Sequence, residues 1–311
     1  MPSSAVNAWR GQLKLLVVQP TPFCNIDCSY CYLAGRSDKH RMSPDTMRRV
    51  LANLYADALI ADELEICWHL GEPLAVGRPY YEQMIPAIAE FAHGKFAVEF
   101  TFQTNGTLID DAWCEFFKRI GAQVGVSLDG PKDLHDRYRL TRRGKGTFDR
   151  VVAGLRLLRE AGVDRYIIAV LGTEALREPD RIFDFFQELG ETNICFNIEE
   201  TEGINVSRAA QSAEATGLVR GFARRILERI NMDPSAIWVR DLQQMIGMLV
   251  SAHEGACLNE NNLPFRIVSV MWDGSWSTFS PELISTPAPE FGDFRFGTLA
   301  HEPASASLAG S

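Results

Sequence analysis

Short apolar runs alternate with amphipathic stretches along roughly the first two thirds of the chain. Each apolar run has the length and composition of a buried strand, and the stretch that follows has helical spacing. Two of these helices stop at Gly162 and Gly190, where a helix-ending glycine is expected. Six repeats of strand and helix predict right-handed β-α-β units around a parallel sheet. The predicted strands cover residues 13–19, 64–69, 96–104, 123–128, 166–171 and 193–198.

The expected architecture follows from the number of repeats and from a change in the hydrophobic pattern after residue 204. A closed barrel takes eight units and about 250 residues. We therefore predict an α/β fold with a partial (β/α)6 TIM-like barrel over residues 13–204, after a lead-in of residues 1–12. Helical patterns at 207–230 and 234–253 precede a hairpin signal at Asp273-Gly274. They predict a C-terminal helical and β-hairpin extension over residues 205–299, followed by a flexible tail over 300–311.

The charge and the apolar content narrow the class of partner. The net charge is −9 and the sequence pI is near 5.3. Broad binding to nucleic acid or to an anionic membrane needs a basic surface, so we expect no nucleic-acid and no membrane partner. No apolar stretch reaches the length of a membrane span, and the first residues do not resemble a signal peptide. We expect a cytoplasmic protein, in which the odd count of seven cysteines favours metal ligation over disulfides.

Three of the cysteines follow the first predicted strand. Cys24, Cys28 and Cys31 have C-x₃-C-x₂-C spacing, which brings three thiolates onto one loop without a fourth. A cubane iron–sulfur cluster normally takes four thiolates, so one iron would remain open to another ligand. Loops at the carboxyl ends of parallel strands are where such sheets place their active sites. The motif therefore predicts an enzyme.

The cysteine motif is one of several ordered motifs that follow predicted strands. The segment CNIDCSYC includes Tyr30 before its third cysteine, and RGKGTF ends the series at Phe148. Together the motifs resemble the radical S-adenosylmethionine (SAM) superfamily, and within it the peptide and protein maturases that carry a SPASM-type extension. The motifs between these two are GEP at 71–73, QTNG at 103–106, SLDGP at 127–131 and HDRYR at 135–139.

The resemblance implies two cofactors, a [4Fe–4S] cluster and SAM. Cys24, Cys28 and Cys31 would hold three irons, and the fourth iron would chelate the amino and carboxylate groups of SAM. Electron transfer into the sulfonium would then release a 5′-deoxyadenosyl radical that takes hydrogen from an unactivated carbon. By the same resemblance, the residues expected to bind or surround SAM are Tyr30, Gly71, Glu72, Pro73, Gln103, Asn105, Ser127, Arg139 and Leu171.

Two departures from the family pattern carry information. His69-Leu70 precede the GEP motif in place of the doubled glycine that is common in this branch. SPASM-type extensions carry cysteines for auxiliary clusters, but only Cys257 lies beyond residue 200, and Phe279 and Ser280 occupy the expected cysteine and aspartate positions. We therefore expect an extension that lacks auxiliary cluster cysteines, and one cluster only.

The extension also suggests a reaction. Its segment WDGSWSTFSPEL at 272–283, with the opening motif and WHLGEP, resembles the cyclophane-forming maturases of ribosomal peptides, especially of glycine-rich precursors. The resemblance implies a precursor peptide as substrate and an external electron donor such as flavodoxin or ferredoxin. A radical at a peptide β-carbon would add to an aromatic ring and form a C–C crosslink. Asp273 and Glu282 are the candidates for accepting the ring proton or gripping the peptide.

Other interpretations remain open at this stage. Within the superfamily, the chain would instead form a thioether crosslink or oxidise a Ser or Cys residue to formylglycine. In another class, the three cysteines and His40 would bind structural zinc in a binding module. His69 and His135 are interpreted as hydrogen-bonded framework, and Cys67, Cys114 and Cys195 as buried apolar residues.

Overall fold

Nine strands form one sheet in the computed structural model. The structure describes residues 9–201, 203–207, 214–234, 237–252, 263–278, 281–283, 290 and 292–309. The spatial order of the strands is β7-β6-β5-β4-β3-β2-β1-β8-β9. Their bounds are β1 Leu13–Val18, β2 Ile60–Trp68, β3 Ala97–Thr104, β4 Gln123–Ser127, β5 Arg165–Leu171, β6 Asn193–Ile198, β7 Trp238–Val239, β8 Ile267–Val270 and β9 Trp276–Thr278.

The first six strands lie side by side in chain order and run parallel. This confirms the predicted parallel α/β core, because each of the six predicted strands overlaps an observed one. The helices are α1 Pro44–Ala56, α2 Arg78–Ala92, α3 Asp111–Ile120, α4 Lys132–Tyr138, α5 Phe148–Ala161, α6 Thr173–Leu176, α7 Pro179–Leu189, α8 Ala215–Met232, α9 Arg240–Ala252 and α10 Ala304–Ala309.

Local sequence signals set the helix ends. The Ser43 side chain accepts a hydrogen bond from the Thr46 amide at the start of α1, with Pro44 in the first turn. At the other end, Gly162 and Gly190 adopt left-handed conformations immediately after α5 and α7, as predicted. α4, which contains His135, was not predicted from the sequence.

Aromatic side chains fill the core between the sheet and the helices. Trp68 of β2 and Phe102 of β3 are fully buried, and they pack against Tyr81 of α2. Phe117 of α3 also packs on Phe102, with ring centroids 5.1 Å apart. Burial of such large rings is a main source of the sheet's stability. The strands therefore hold their carboxyl ends in fixed positions.

The last two strands extend the same sheet. β8 pairs with β1 in parallel, with Leu15 opposite Ile267, and β9 pairs with β8 in the antiparallel direction. The predicted hairpin is confirmed, and its turn lies at Asp273-Gly274. β1 is thus an interior strand between β2 and β8.

The helical predictions after residue 204 were partly wrong. Ser207 is buried outside any helix, because its amide bonds to the Thr201 side chain and its hydroxyl to the Glu199 carbonyl. α8 begins at Ala215, and Trp238–Val239 form a strand beside β6 where a helix was expected. Cys257, Phe279 and Ser280 lie outside the described residues.

The C-terminal segment is more ordered than predicted. In place of a flexible tail, residues 304–309 form α10, and Ala304 is fully buried. The amide and hydroxyl of Ser305 both donate to the carboxylate of Asp57, which is also buried. Two hydrogen bonds to a charged group explain the order. Among the helices in the described ranges, none has both the length and the apolar character that crossing a bilayer requires.

Candidate active site

A cavity of about 560 Å³ lies at the carboxyl ends of the parallel strands. β3, β4, β5 and β6 contribute Gln103, Ser127, Ile168 and Asn197 to its wall. The cysteine loop, which we define as residues 24–36, also lines the cavity. A cavity of this size is typical of small-molecule sites.

The three motif cysteines all line this cavity, as predicted. Burial raises the pKa of the Cys24 thiol to about 12 and that of Cys28 to about 11, with nearby Arg139 acting against burial at Cys28. A buried thiol ionises when a metal centre supplies positive charge. Three thiols of one loop in the wall of one cavity are a donor set that fits an iron–sulfur cluster with one open iron.

The described residues provide no ligand set for a structural zinc ion. Among the residues that the structure describes, no three or more His, Cys, Asp or Glu side chains surround a point that would hold a single metal ion. A zinc site needs such a group, whereas a cubane distributes its ligands over separate irons. His40, the suggested additional ligand, hydrogen-bonds Asp38 at 2.6 Å and stacks on Trp272 with ring centroids 4.4 Å apart.

Arg139 lines the cavity and is anchored by Asp129. Its Nε and Nη2 donate to the two carboxylate oxygens of Asp129 at 2.9 and 3.0 Å. The Tyr30 hydroxyl donates to the same carboxylate at 2.5 Å, and the Tyr30 ring lies 5.3 Å from the guanidinium. Val170 completes the set with a backbone amide. Four donors thus saturate Asp129 and fix Arg139 and Tyr30 against the cavity.

His135 supports this arrangement from outside the cavity. Its Nδ1 accepts from the Asp129 amide at 3.3 Å, and its Nε2 lies 2.9 Å from the Thr147 hydroxyl. That hydroxyl donates to the Arg139 carbonyl, so Nε2 carries the proton and donates to Thr147. Burial lowers the pKa of His135 to about 4. His135 is neutral framework, which agrees with its interpretation from the sequence.

Glu72 of the GEP motif is buried and turned into the protein. Its carboxylate accepts from the amides of Leu74 and Asn105 and from the Thr104 hydroxyl. Burial raises its pKa to about 7, against the effect of these donors. The interactions fix Asn105, whose side chain lines the cavity, bonds Asn25 at 2.8 Å and lies 3.8 Å from the Cys24 sulfur. Glu72 therefore supports the site from behind.

The GEP glycine is required by close backbone packing. Gly71 lines the cavity at a φ of +126°, and a Cβ there would lie 2.4 Å from the Thr21 carbonyl oxygen. Leu70 beside it has a left-handed φ of 63°, unusual for a branched residue. Its side chain is buried in a small apolar cluster with Leu33 and Met271. That packing offsets the strain at this departure from the family pattern.

Buried polar atoms line the side of the cavity formed by β2 and β3. His69 and Gln103 both line it, and neither His69 Nδ1 nor Gln103 Oε1 has a hydrogen-bond partner among the described residues. Gln103 Nε2 donates to Ser127 at 3.2 Å. Burial lowers the pKa of His69 to about 4, so its ring is neutral. Unpaired buried polar atoms at a cavity wall are typical of ligand sites.

The cavity also has acidic residues in its lining that were not predicted from the sequence. Glu199, Glu200 and Asp241 line it together. Asp241, the second residue of α9, accepts from the Phe196 amide at 2.9 Å and from the Cys195 thiol at 3.3 Å. No motif surrounds these residues. The short β7 strand just before α9 is the feature that brings Asp241 to β6.

The remaining predicted site residues lie elsewhere. Pro73 begins a buried 3₁₀ turn. Leu171 belongs to the hydrophobic core, and its neighbour Val170 lines the cavity instead. Asp273 is at the exposed hairpin turn and accepts from the amide and hydroxyl of Ser275. The backbone of Glu282 is in a 3₁₀ turn over Pro281–Leu283, and its side chain lies outside the described residues.

Comparison with known proteins agrees with this geometry. The chain is 36% identical over 293 residues to protein sll1766 of Synechocystis sp., a match that covers 93% of the chain and 73% of that protein. It is 33% identical over 183 residues to a serine-type anaerobic sulfatase-maturating enzyme of Bacteroides thetaiotaomicron. The second match covers 57% of the chain and 44% of the enzyme, so the chain spans less than half of that relative's length.

A solved structure shares the fold. Native anSMEcpe with bound AdoMet and Cp18Cys peptide has a TM-score of 0.75 at 20% identity, covering 96% of this chain and 80% of the other. The sequence model of the Radical SAM superfamily matches residues 18–186, which include the three cysteines and Arg139. The chain therefore belongs to the radical SAM superfamily and is an enzyme that uses a [4Fe–4S] cluster and S-adenosylmethionine.

Proposed function

We propose that this enzyme modifies a ribosomally made precursor peptide by forming a C–C crosslink between a side-chain β-carbon and an aromatic ring. The observation that carries the proposal is a cavity lined both by the cluster thiols and by carboxylates. The names of its relatives support a protein or peptide substrate. The crosslink itself rests on the resemblance of the hairpin segment to the cyclophane-forming maturases.

In this proposal the cavity residues divide between cofactor and substrate. Cys24, Cys28 and Cys31 hold the cluster, which with SAM supplies hydrogen abstraction from an unactivated carbon when bound. Gly71, Gln103, Asn105, Ser127 and Arg139 face SAM, which is supported by their place in the lining of the cavity that also contains the thiols. Arg139 keeps Nη1 available beyond its two bonds to Asp129, and Tyr30 orients it.

Asp241 replaces Asp273 as the proposed acceptor of the ring proton. Crosslinking removes two hydrogens from the peptide: one would leave as an atom to the 5′-deoxyadenosyl group, and the other as a proton, while the accompanying electron would pass to an external carrier. The carboxylate of Asp241 is in the cavity wall, whereas that of Asp273 is held by Ser275 at an exposed turn. We propose an external carrier such as ferredoxin or flavodoxin for electron supply.

Formylglycine formation is the second candidate function. The names of the sulfatase-maturating relatives, of both serine and cysteine type, favour it. It uses the same cavity and the same loss of hydrogen from a side chain. The two candidates differ in product, because formylglycine is an aldehyde and a crosslinked ring is not.

Anaerobic co-expression with a candidate precursor peptide tests the proposal. We expect a product lighter by two hydrogens per crosslink, inert to hydrazide reagents, with no fragmentation between the joined residues in tandem mass spectrometry. A hydrazide-reactive product would establish the formylglycine alternative instead. An unmodified peptide alongside full SAM cleavage would contradict both.

Variants of the two aspartates test the proton acceptor. Asp241→Asn is expected to leave SAM cleavage in place and to lower crosslinked product by about a hundredfold, the range typical of a lost general base. Asp273→Asn is the matched control and is expected to behave as wild type. Equal product from both variants would exclude Asp241 as the acceptor.

A further inference from the structure

The segment Tyr138–Arg142 runs beside the first half of the cysteine loop in the opposite direction. The Ser29 amide donates to the Tyr138 carbonyl at 3.0 Å, and the Asp27 amide donates to the Leu140 carbonyl at 2.7 Å. Ile26 and Thr141 then form an antiparallel bridge. Backbone hydrogen bonds to this segment therefore hold the first half of the loop that carries the cluster ligands.

Arg142 ends the segment and joins the two ends of the loop. Its Nε donates to the Cys24 carbonyl at 2.9 Å, and its Nη2 donates to the Arg36 carbonyl. Its Nη1 donates to the Ser37 hydroxyl at 3.0 Å. The guanidinium also lies over the Phe23 ring, 5.2 Å from the centroid. One planar fork thus contacts both the start and the end of the loop.

The position of these contacts matters more than their number. Without Arg142, one backbone bond would still join the two ends, because the Cys24 amide donates to the Arg36 carbonyl at 3.1 Å. The Arg36 side chain also reaches back into the loop, to the Cys28 carbonyl and the Asp27 carboxylate, both at 3.0 Å. All three thiols must contact the cluster together, and Cys24 is separated from the other two cysteines when the ends of the loop are free to move apart. Fixing both ends reduces the number of open conformations before the cluster arrives.

We propose that Arg142 is a positioning residue for the iron–sulfur cluster, acting through the ends of the cysteine loop. The proposal concerns the cluster alone and is independent of the peptide reaction. It gives Arg142 a role different from that of Arg139 in the same segment, whose side chain is in the cavity. Arg143, also exposed, takes part in none of the contacts described for Arg142 and provides the matched control.

The test compares reconstituted wild type with Arg142→Ala, Arg142→Lys and Arg143→Ala. Iron release to a chelator is followed anaerobically by the loss of cluster absorbance. We expect release about tenfold faster from Arg142→Ala, because three charge-assisted bonds are lost at an exposed site where each is individually weak. Arg142→Lys keeps the charge without the fork and is expected to be intermediate, and Arg143→Ala to match wild type.

Hydrogen exchange of the cluster-free chain provides a second measurement that does not depend on activity. We expect Arg142→Ala to increase exchange at residues 24–36 while the midpoint of thermal unfolding stays at that of Arg143→Ala. Release and exchange no faster than in Arg143→Ala would overturn the proposal. A lowered midpoint without a local increase in exchange at residues 24–36 would also overturn it, because the role would then be general stability.

Discussion

At the residue scale, the motif side chains divide into those that face the cavity and those that hold others in place. Arg139, Asn105 and the three cysteines face it, whereas Asp129 and Glu72 act from behind with every carboxylate oxygen bonded. Spacing in the sequence predicted the first group because strand ends converge on one cavity. Spacing did not show that Asp129 and Glu72 point away from the cavity, because the direction of a side chain within a motif depends on packing.

Asp129 offers the sharpest test of such a supporting role. Asp129→Asn leaves the Arg139 charge buried without its partner, so we expect the free energy of unfolding to fall by about 3–5 kcal/mol. Tyr30→Phe removes one hydrogen bond to the carboxylate and keeps the ion pair, so it should cost less, about 1.5–3 kcal/mol. Denaturant unfolding of the cluster-free chain measures both. Equal losses would contradict the assigned role of Asp129.

At the element scale, β4 shapes the cavity by what it lacks. Gly125 faces Gln103 and Tyr166 from the neighbouring strands, and a Cβ there would lie 2.1 Å from Gln103 Oε1 and 2.5 Å from the Tyr166 ring. The missing side chain leaves room for both larger ones. A sequence pattern shows a glycine in a strand but not which side chains occupy the space beside it.

Two glycine substitutions separate this packing effect from intrinsic propensity. Gly125→Ala is expected to destabilise the protein by about 1–3 kcal/mol through overpacking and to displace Gln103. Gly217→Ala lies in α8, where nothing is within 4 Å of the added Cβ, and is expected to stabilise by up to about 1 kcal/mol. Thermal and denaturant unfolding measure whether each variant is less or more stable than wild type. A stabilising Gly125→Ala would contradict the close packing described here.

At the scale of the whole molecule, protonation of buried histidine links stability to pH. Burial lowers the pKa of His135 from 6.5 to about 4, so the folded chain binds its proton less readily than the unfolded chain. Its contribution to stability is therefore present above the unfolded-state pKa and is lost as the pH falls toward 4. His69 acts in the same direction, because burial lowers its pKa to about 4 as well.

His135→Gln isolates this contribution, since glutamine keeps a donor and an acceptor but takes up no proton. Between about pH 7 and about pH 4, wild type should lose up to about 3 kcal/mol more unfolding free energy than the variant. His93→Gln, at an exposed turn, should reproduce the wild-type slope. The measurement is denaturant unfolding across that pH range. Identical slopes for wild type and His135→Gln would show that His135 does not titrate as its burial implies.

The features that could be predicted from the sequence are those that depend on residues close together in the chain. The parallel core and most helix ends were predicted because apolar periodicity and capping residues act locally. The pairing of β8 with β1, the place of Asp241 in the cavity and the anchoring of Ser305 to Asp57 were not, because each joins residues far apart in the chain. The acidic residues in the cavity lining were missed for this reason.

Because Leu15 pairs with Ile267, the sheet around β1 is completed only late in synthesis of the chain. The strand that bears the cysteine loop is synthesised early, but one of its neighbours leaves the ribosome roughly 250 residues later. Until then β1 is an edge strand, and Leu33 of the cysteine loop lacks its apolar packing with Ile267 and Met271. We expect iron and sulfide to be inserted into the finished polypeptide rather than into the nascent one, so a truncated translation product would remain colourless.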